Sequence, residues 1–147
     1  MKKRNGFTLV ELLAVIVILA IILVIAVPQI MDTIDSARKA SLESSVKMVA
    51  AQAENQYTVA QTLGTDFNGG ELNADGSVKT WATCGAWSGL DTSADAKDYG
   101  SCQFYIDKDG AAHVKIVGKA GGKFAKFSTN GCVGTRSTIG ENDCKAS

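Results

Sequence analysis

An acidic residue in apolar surroundings is the most unusual chemical feature of this chain. Glu11 precedes a run from Leu12 to Val27 that contains no charged residue. A carboxylate in a membrane-spanning helix raises the free energy of insertion by about 2.5–3.5 kcal/mol at the bilayer centre, and by less near the interface. Such a residue therefore usually has an interaction partner or a functional role. Residues 7 and 11 share one helix face. A cut between Gly6 and Phe7 would create an amine that Glu11 of the same chain or of a neighbouring chain could bind.

The four cysteines form a second reactive group. They are Cys84, Cys102, Cys132 and Cys144, all in the second part of the chain. An even number confined to one part predicts two disulfides formed in an oxidising compartment. No two of them have the spacing of roughly two to four residues that zinc sites favour, so we expect no metal here. Free thiols are the remaining alternative.

Two short acidic patterns are similar to the start of calcium-binding loops. They are Asp107-Lys108-Asp109-Gly110 and Asn73-Ala74-Asp75-Gly76. An EF-hand loop needs a glutamate at its twelfth position, where these patterns have Gly118 and Cys84. We therefore interpret both patterns as turns, and a calcium site of another type is the alternative.

His113 is the single histidine and begins a predicted strand without a local motif around it. Any catalytic arrangement of the Ser-His-Asp or Cys-His type would have to use this residue. The sequence contains no phosphate-binding loop, nucleotide fingerprint or pair of metal-binding histidines. We therefore expect a surface or edge-strand histidine, no cofactor and no enzymatic activity.

The N-terminal segment has the length and polarity of a membrane span. From Phe7 to Ile30 it comprises 24 residues, which is about 36 Å of helix against a hydrocarbon core of about 30 Å. The three cations at residues 2–4 should stay in the cytoplasm, which places everything after Pro28 outside. A secretory signal peptide fits less well, because the apolar stretch exceeds a signal core and no small-x-small cleavage site follows. A plain signal anchor for an extracellular domain is the other alternative.

The residues around Glu11 also form a recognisable motif. The run Gly6-Phe7-Thr8-Leu9-Val10-Glu11-Leu12-Leu13, preceded by a short basic leader, resembles the prepilin signature of type IV pilins. The six-residue leader and the phenylalanine that follows it are similar to the type IVa subclass. The resemblance covers roughly residues 1–35 and includes Pro28. It implies that a prepilin peptidase cuts after Gly6 and that the amine of Phe7 is then N-methylated. It also implies that Glu11 recognises the amine of an adjacent subunit during assembly.

A function follows from this resemblance as an expectation. It implies a structural subunit that is held in the inner (cytoplasmic) membrane and then lifted by the pilus assembly machinery into an extracellular filament of identical subunits. Adhesion and twitching motility are roles of such filaments. The alternatives are a minor pilin or pseudopilin of a secretion or DNA-uptake system, and a membrane-anchored extracellular binding domain that never polymerises. Ala20 departs from the family pattern, because many of these pilins carry a glycine there, where the helix unwinds in the filament.

The charge balance bears on the choice of partner. Lys and Arg together number 15, as do Asp and Glu, so the formal net charge is zero. Nucleic-acid binding normally needs a basic face. The charge therefore argues against nucleic acid as the main partner.

An amphipathic helix is predicted after Pro28, because apolar residues recur there in steps of mostly three and four. The predicted stripe comprises Ile30, Ile34, Ala37, Leu42, Val46, Val49, Ala53, Tyr57 and Ala60. Leu63-Gly64 is the predicted stop, and Pro28, which lacks a backbone donor, should kink the helix. We expect a folded head to pack on the stripe, and a coiled-coil dimer is the alternative.

The remainder of the chain has the signals of a small antiparallel sheet. Gln103–Ile106 and His113–Val117 flank a turn pattern, which is a strong hairpin signal. Further strands are predicted at Val78–Ala82 and Lys123–Ser128, the latter irregular because its two phenylalanines break strict alternation. A second turn is predicted at 118–122. We expect core packing for two or three of Trp81, Trp87, Tyr99 and Tyr105, with a ligand surface as the alternative.

The predicted fold class is α+β, with a long N-terminal helix packed on a small antiparallel sheet head with disulfide-closed loops. Residues 1–6 are the leader, 7–30 the spanning or filament-core half of the helix, 31–63 its amphipathic half and 64–147 the head. Four cysteines allow three pairings. We favour Cys84–Cys102 and Cys132–Cys144, since each closes a compact loop, and the second loop is similar to the disulfide-bound loop near the C-terminus of many type IV pilins.

Overall fold

A computed structural model describes residues 6–93, 95–140 and 144–145 of the chain. Its longest element is helix α1, Leu9–Leu63, with 55 residues. The chain divides into two compact units, Met1–Ala37 and Arg38–Ser147. Helix α1 contributes residues to both units, and each unit is described by itself.

The first unit consists of the apolar half of α1 and the residues that precede it. Among the described residues of this unit, the large apolar side chains are all exposed, and the exposed fraction ranges from 91% for Phe7 to 40% for Ile34. By length and composition alone, this helix could cross a membrane. Pro28 lies inside the helix, which continues through it, so the kink at Pro28 stays a prediction.

The second unit contains the part of α1 that packs on the head. The side chains of Leu42, Val46, Val49 and Ala53 are fully buried, and their spacing of three and four residues places them on one helix face. The head packs on the predicted stripe from Leu42 onward, whereas Ile30, Ile34 and Ala37 belong to the first unit and are exposed. The step of five residues from Ala37 to Leu42 breaks the helical repeat at that point.

The end of α1 was predicted correctly. Gly64 follows the last helical residue with a φ of 65°, a left-handed conformation that glycine adopts without steric cost. The N–H of Thr65 donates to the carbonyl of Ala60 at 3.0 Å, as in a Schellman cap. The cap satisfies one of the carbonyls that the helix end would otherwise leave unpaired.

The head contains six strands in two antiparallel sheets within the described residues. They are β1 (Glu71–Leu72), β2 (Val78–Thr80), β3 (Ala82–Thr83), β4 (Tyr99–Ile106), β5 (Ala112–Gly118) and β6 (Cys132–Gly134). Strands β1 and β2 form a two-stranded sheet, and the other four pair in the order β3-β4-β5-β6. The predicted α+β class is therefore confirmed.

The predicted hairpin around residues 107–110 is also confirmed. Ile106 pairs with Ala112 at its closed end and Cys102 with Ile116 further along. The N–H of Asp107 donates to the carbonyl of Ala111 at 2.9 Å and closes the turn. Side chains of β5 alternate between buried and half-buried, so one face of the sheet lies on the core.

Two strand predictions need correction. The segment Val78–Ala82 is divided at Trp81 between β2 and β3, which belong to different sheets. The segment Lys123–Ser128 is not a strand but contains a 3₁₀ turn at Ala125–Phe127. Phe124 and Phe127 are both buried, and two residues three apart share a side of a 3₁₀ turn, whereas a strand would place them on opposite faces.

The predicted turn after β5 is present, closed by a bond from the N–H of Gly122 to the carbonyl of Lys119 at 3.0 Å. Gly118 lets the following 3₁₀ segment approach the sheet, because a Cβ at this position would collide with the carbonyl of Phe124. The turn and this close approach bring the Phe124 ring into the core.

The core lies between α1 and the four-stranded sheet. Leu42, Val46 and Val49 of the helix and Val114 and Ile116 of β5 are fully buried in one cluster. Burying each such side chain contributes about 1.5–3 kcal/mol. The part of α1 from Leu42 onward is therefore an integral part of the head.

Candidate functional site

The start of α1 is organised by reciprocal hydrogen bonds between Thr8 and Glu11. The N–H of Thr8 donates to Glu11 Oε2 at 2.8 Å, and the Thr8 hydroxyl donates to the same oxygen at 2.9 Å. The N–H of Glu11 donates to Thr8 Oγ1 at 3.3 Å. This is a capping box, in which two backbone donors at a helix start are satisfied by side chains. A carboxylate there also interacts favourably with the helix dipole.

Thr8 is the functional residue that our sequence reasoning missed. The signal was present, because a threonine followed three residues later by glutamate at the start of an apolar run predicts a capping box. The structure shows that Glu11 already has partners in the uncleaved chain.

The predicted cleavage point lies just before this cap. Residues 6–8 are outside any helix or strand, and a Cβ built on Gly6 would meet no atom within 4 Å. The side chain of Phe7 is 91% exposed. The bond between Gly6 and Phe7 is therefore accessible to a peptidase, while the rest of the predicted leader, residues 1–5, lies outside the described residues.

Glu11 lies among apolar neighbours on the helix surface. Phe7, Leu12, Val15 and Ile16 line a shallow cavity of about 260 Å³ together with Glu11. The carboxylate thus presents a negative charge at the edge of an apolar surface. Such an arrangement could bind a cation attached to an apolar group, such as the amine of a phenylalanine.

The second cluster of polar groups is on the outer face of the head sheet. His113 Nε2 lies 3.0 Å from Asp107 Oδ2, and the His113 ring stacks on Tyr105 with centroids 4.6 Å apart. The ring of Trp81 meets Tyr105 edge to face at 5.0 Å. His113 is half-buried on this face, where it pairs with Tyr105 of β4, and the pairing of β5 with β6 begins one residue later, at Val114.

The two acidic patterns serve as turns. Asp107 Oδ1 accepts the N–H groups of Asp109 and Ala111, both at 2.9 Å. Burial raises the pKa of Asp107, but the hydrogen bonds from His113 and from these N–H groups outweigh it, so the pKa is lower than usual.

In the other pattern, Asp75 Oδ1 accepts the hydroxyl and the N–H of Ser77 at 2.6 and 2.9 Å. These two bonds lower the pKa of the Asp75 carboxyl. Across residues 6–93, 95–140 and 144–145, no group of three or more His, Cys, Asp or Glu side chains could hold a metal ion.

The structure joins Cys84 to Cys102 and Cys132 to Cys144, the pairing that we favoured. The first disulfide links the end of β3 to β4, where the N–H of Cys84 also donates to the carbonyl of Cys102. The second links β6 to Cys144, which forms a β-bridge with Cys132. It covers part of a sheet edge that would otherwise be open to pairing with another chain.

The four aromatic residues named in the sequence analysis pack in two different places, two against the core and two on the outer face of the sheet. Trp87 and Tyr99 pack against the buried core, and the Tyr99 hydroxyl lies 2.7 Å from Ser45 Oγ on α1. Trp81 and Tyr105 instead pack on each other on the outer face. Core packing is therefore confirmed for two of the four.

Comparison with known proteins identifies a family match at the start of the chain. Residues 1–27 match the family described as a prokaryotic N-terminal methylation motif. No curated protein matches the chain, and no solved structure matches it. The matched residues include Gly6, Phe7 and Thr8, which precede α1, and Glu11, which lies in its first turn.

Proposed function

We propose that this chain, which carries the leader signature of type IV prepilins, is the structural subunit of a type IV pilus and not an enzyme. The signature indicates a pilin-like or pseudopilin precursor and implies processing by a prepilin peptidase and contact with an assembly machinery. The apolar helix suits anchoring in the membrane before assembly. The proposal adds cleavage after Gly6, methylation at Phe7 and polymerisation into an extracellular filament.

The observation that carries the proposal is the position of Glu11. It lies four residues after the predicted new N-terminus, in a surface that is otherwise apolar. In the uncleaved chain its carboxylate is bound by Thr8. Cleavage adds a positive amine at Phe7, and the Glu11 carboxylate has further lone pairs with which to accept it.

A neighbouring chain is the partner that gives this charge pair a function. An amine and a carboxylate that meet between two chains fix the axial register of their helices. Within one chain the same pair would not connect two subunits. Because both groups are surrounded by apolar side chains, a correctly paired contact is favoured over a shifted one that leaves a charge unpaired.

The exposed apolar side chains of the first unit supply the environment for this contact. Large side chains such as Leu12 and Ile16 are more than half exposed, and such a surface is unfavourable in water. In lipid, or among like helices, the same surface is buried. Transfer from membrane to filament therefore exchanges one apolar environment for another and retains the burial.

The first test is the mass of the mature protein. We expect a chain that begins at Phe7 and carries one N-methyl group. A chain that retains Met1 or begins beyond Pro28 would contradict the proposal, because no amine would then be available near Glu11.

The second test is the Glu11→Ala variant. It should insert in the membrane and be cleaved normally, yet yield far fewer filaments in the fraction sheared from cells. Val10→Ala is the matched control and should assemble like the unmodified protein. Unchanged filament yield for Glu11→Ala would refute the role of this carboxylate.

A further inference from the structure

The two disulfides of the head differ in how far a molecule in solution can reach them. Cys132 is fully buried and Cys144 is 2% exposed, whereas Cys84 and Cys102 are only partly buried. Cys84 and Cys102 also line a cavity of about 310 Å³ beside β4. Because thiol–disulfide exchange requires access to a sulfur atom, the folded head leaves the first disulfide open to attack and shields the second.

The cavity lies where β4 continues beyond the end of β3. Thr83, the last residue of β3, pairs with Gln103. Residues 99–103 of β4 line one part of the cavity, and Leu90 and Asp91, from the segment after β3, line another. One water molecule takes up about 30 Å³, so the cavity has room for a small organic thiol beside the disulfide.

A single carboxylate sets the charge of the cavity. Asp91 is exposed, and it is the one charged side chain among the described residues that line the cavity. A cleft with charge of one sign raises the local concentration of ions of the opposite sign. We therefore expect a cationic thiol to reach the disulfide more readily than an anionic thiol of similar size.

The segment between the two cysteines is also held in place by noncovalent contacts. Trp87 meets Phe104 edge to face with ring centroids 5.0 Å apart, and Leu90 is buried in the core. Near the other end of the segment, the carbonyl of Asp98 accepts the N–H of Lys119 at 2.7 Å. Opening the first disulfide therefore leaves these anchors of the folded head in place.

We propose that the Cys84–Cys102 disulfide is a thiol-exchange site that takes a small cationic thiol from the cavity. The thiolate sulfur of the small molecule attacks one cysteine sulfur and forms a mixed disulfide with it. The bond between the two cysteine sulfurs breaks, and the other cysteine leaves as a thiolate that takes up a proton. One disulfide replaces another, so the step needs no further oxidant or reductant. The result is a head that carries an added amine beside Asp91.

The test uses the purified full-length chain in detergent and three small thiols of similar size. They are cysteamine, which is a cation, mercaptoethanol, which is neutral, and mercaptoethanesulfonate, which is an anion. Acid stops the reaction at intervals, and the masses of the digested peptides locate the added thiol. We expect exchange at Cys84 or Cys102 to be about tenfold or more faster than at Cys132 or Cys144. In urea, where the chain is unfolded, the two disulfides should react at rates within about threefold of each other.

The charge preference is measured as the rate in the folded protein divided by the rate of the same thiol in urea, which removes the intrinsic reactivity of each thiol. This ratio should be about threefold or more larger for cysteamine than for mercaptoethanesulfonate, with mercaptoethanol between them. Asp91→Asn should bring the three ratios close together. A merely exposed disulfide would show no such dependence on Asp91.

Access through the cavity is tested with a matched pair of alanine variants in the same segment. Ala96 lines the cavity, so Ala96→Leu should slow exchange at Cys84–Cys102 by about threefold or more. Ala86 is exposed and is not among the lining residues, so Ala86→Leu should react like the unmodified protein. Equal unfolding temperatures show that the variants are folded, and the comparison of the two disulfides in the unmodified protein requires no variant.

Equal exchange rates at the two disulfides of the folded protein would overturn the proposal. Equal slowing by Ala96→Leu and Ala86→Leu would show that the thiol does not enter through the cavity. A charge preference that persists in Asp91→Asn, or is absent from the unmodified protein, would rule out the selection of a cationic thiol. Filament formation plays no part in these measurements, so their outcome is independent of the proposed function.

Discussion

The carboxylate of Glu54, on α1, accepts the backbone N–H of Ala112, the first residue of β5, at 3.2 Å. The same side chain lies 3.7 Å from the guanidinium of Arg136, in the loop after β6. One helix residue therefore holds both the closed end of the central hairpin and the loop that leads to the second disulfide. Because Ala112 is fully buried, its N–H would have no water to replace this acceptor.

Replacing Glu54 should therefore destabilise the head. For Glu54→Ala we expect a loss of about 1–3 kcal/mol in the free energy of unfolding, the cost of a buried donor left unsatisfied. Glu54→Gln keeps an acceptor oxygen and should lose less. Denaturant unfolding of the full chain in detergent measures both.

Glu43→Ala is the matched control on the same helix. Glu43 is paired with Lys39 at 3.8 Å on the surface, and such pairs contribute about 0–1 kcal/mol. If Glu43→Ala lowered the free energy of unfolding as much as Glu54→Ala, the loss in Glu54→Ala would not come from the hydrogen bond to Ala112.

Core packing gives a second prediction. Leu42 is fully buried whereas Met48 is 42% exposed, although both lie on the same helix. Leu42→Ala should lower the unfolding free energy by about 2–5 kcal/mol, because it removes buried carbon and leaves a cavity. Met48→Ala should change it by less than about 0.5 kcal/mol. Similar losses for the two variants would show that the packed face of α1 is not the one described.

The hydrogen-bonded cap of α1 gives a third prediction. Thr8→Ala removes both the acceptor for the N–H of Glu11 and the hydroxyl donor to its carboxylate. Loss of an N-cap costs about 0.5–2 kcal/mol, so amide hydrogen exchange at residues 9–13 should speed up in micelles. Thr8→Ser keeps the hydroxyl and should protect these amides as threonine does. Equal protection in all three proteins would mean that the cap does not hold the helix start.

The sequence predicted the parts of the fold that depend on local patterns. The hairpin around Asp107 and the helix stop at Gly64 each rest on turn chemistry within a few residues, and both are present. The apolar first half of α1 was equally clear from composition. The motif that contains Gly6, Phe7 and Glu11 is recognisable because its spacing is short and specific, and the roles of these three residues stay predictions.

The errors lie where tertiary packing overrides a local pattern. The segment around Phe124 has the composition of a strand, but its two phenylalanines reach the core together only from a 3₁₀ turn. The single strand predicted around Trp81 is two strands, because the residues before Trp81 pair with β1 and those after it pair with β4. The contact between Glu54 and Ala112 joins residues 58 positions apart, and no local signal predicts it.

Ionisation of Asp107 makes the stability of the head depend on pH. In the folded head the pKa of Asp107 is below its usual value, because the hydrogen bonds from His113 and the turn N–H groups outweigh the effect of burial. A carboxyl whose folded pKa is depressed adds stability that is fully present above the unfolded pKa of about 3.9 and is lost as the pH falls through the folded value. Asp107→Asn keeps an oxygen for the turn N–H groups but has no charge to lose. Unfolding of the full chain in detergent between pH 2 and pH 6 should therefore show the unmodified protein losing more stability in acid than Asp107→Asn. The gap between the two proteins should be widest near pH 6 and narrow towards pH 2. A gap that stays constant over this range would mean that ionisation of Asp107 contributes nothing to the stability of the hairpin.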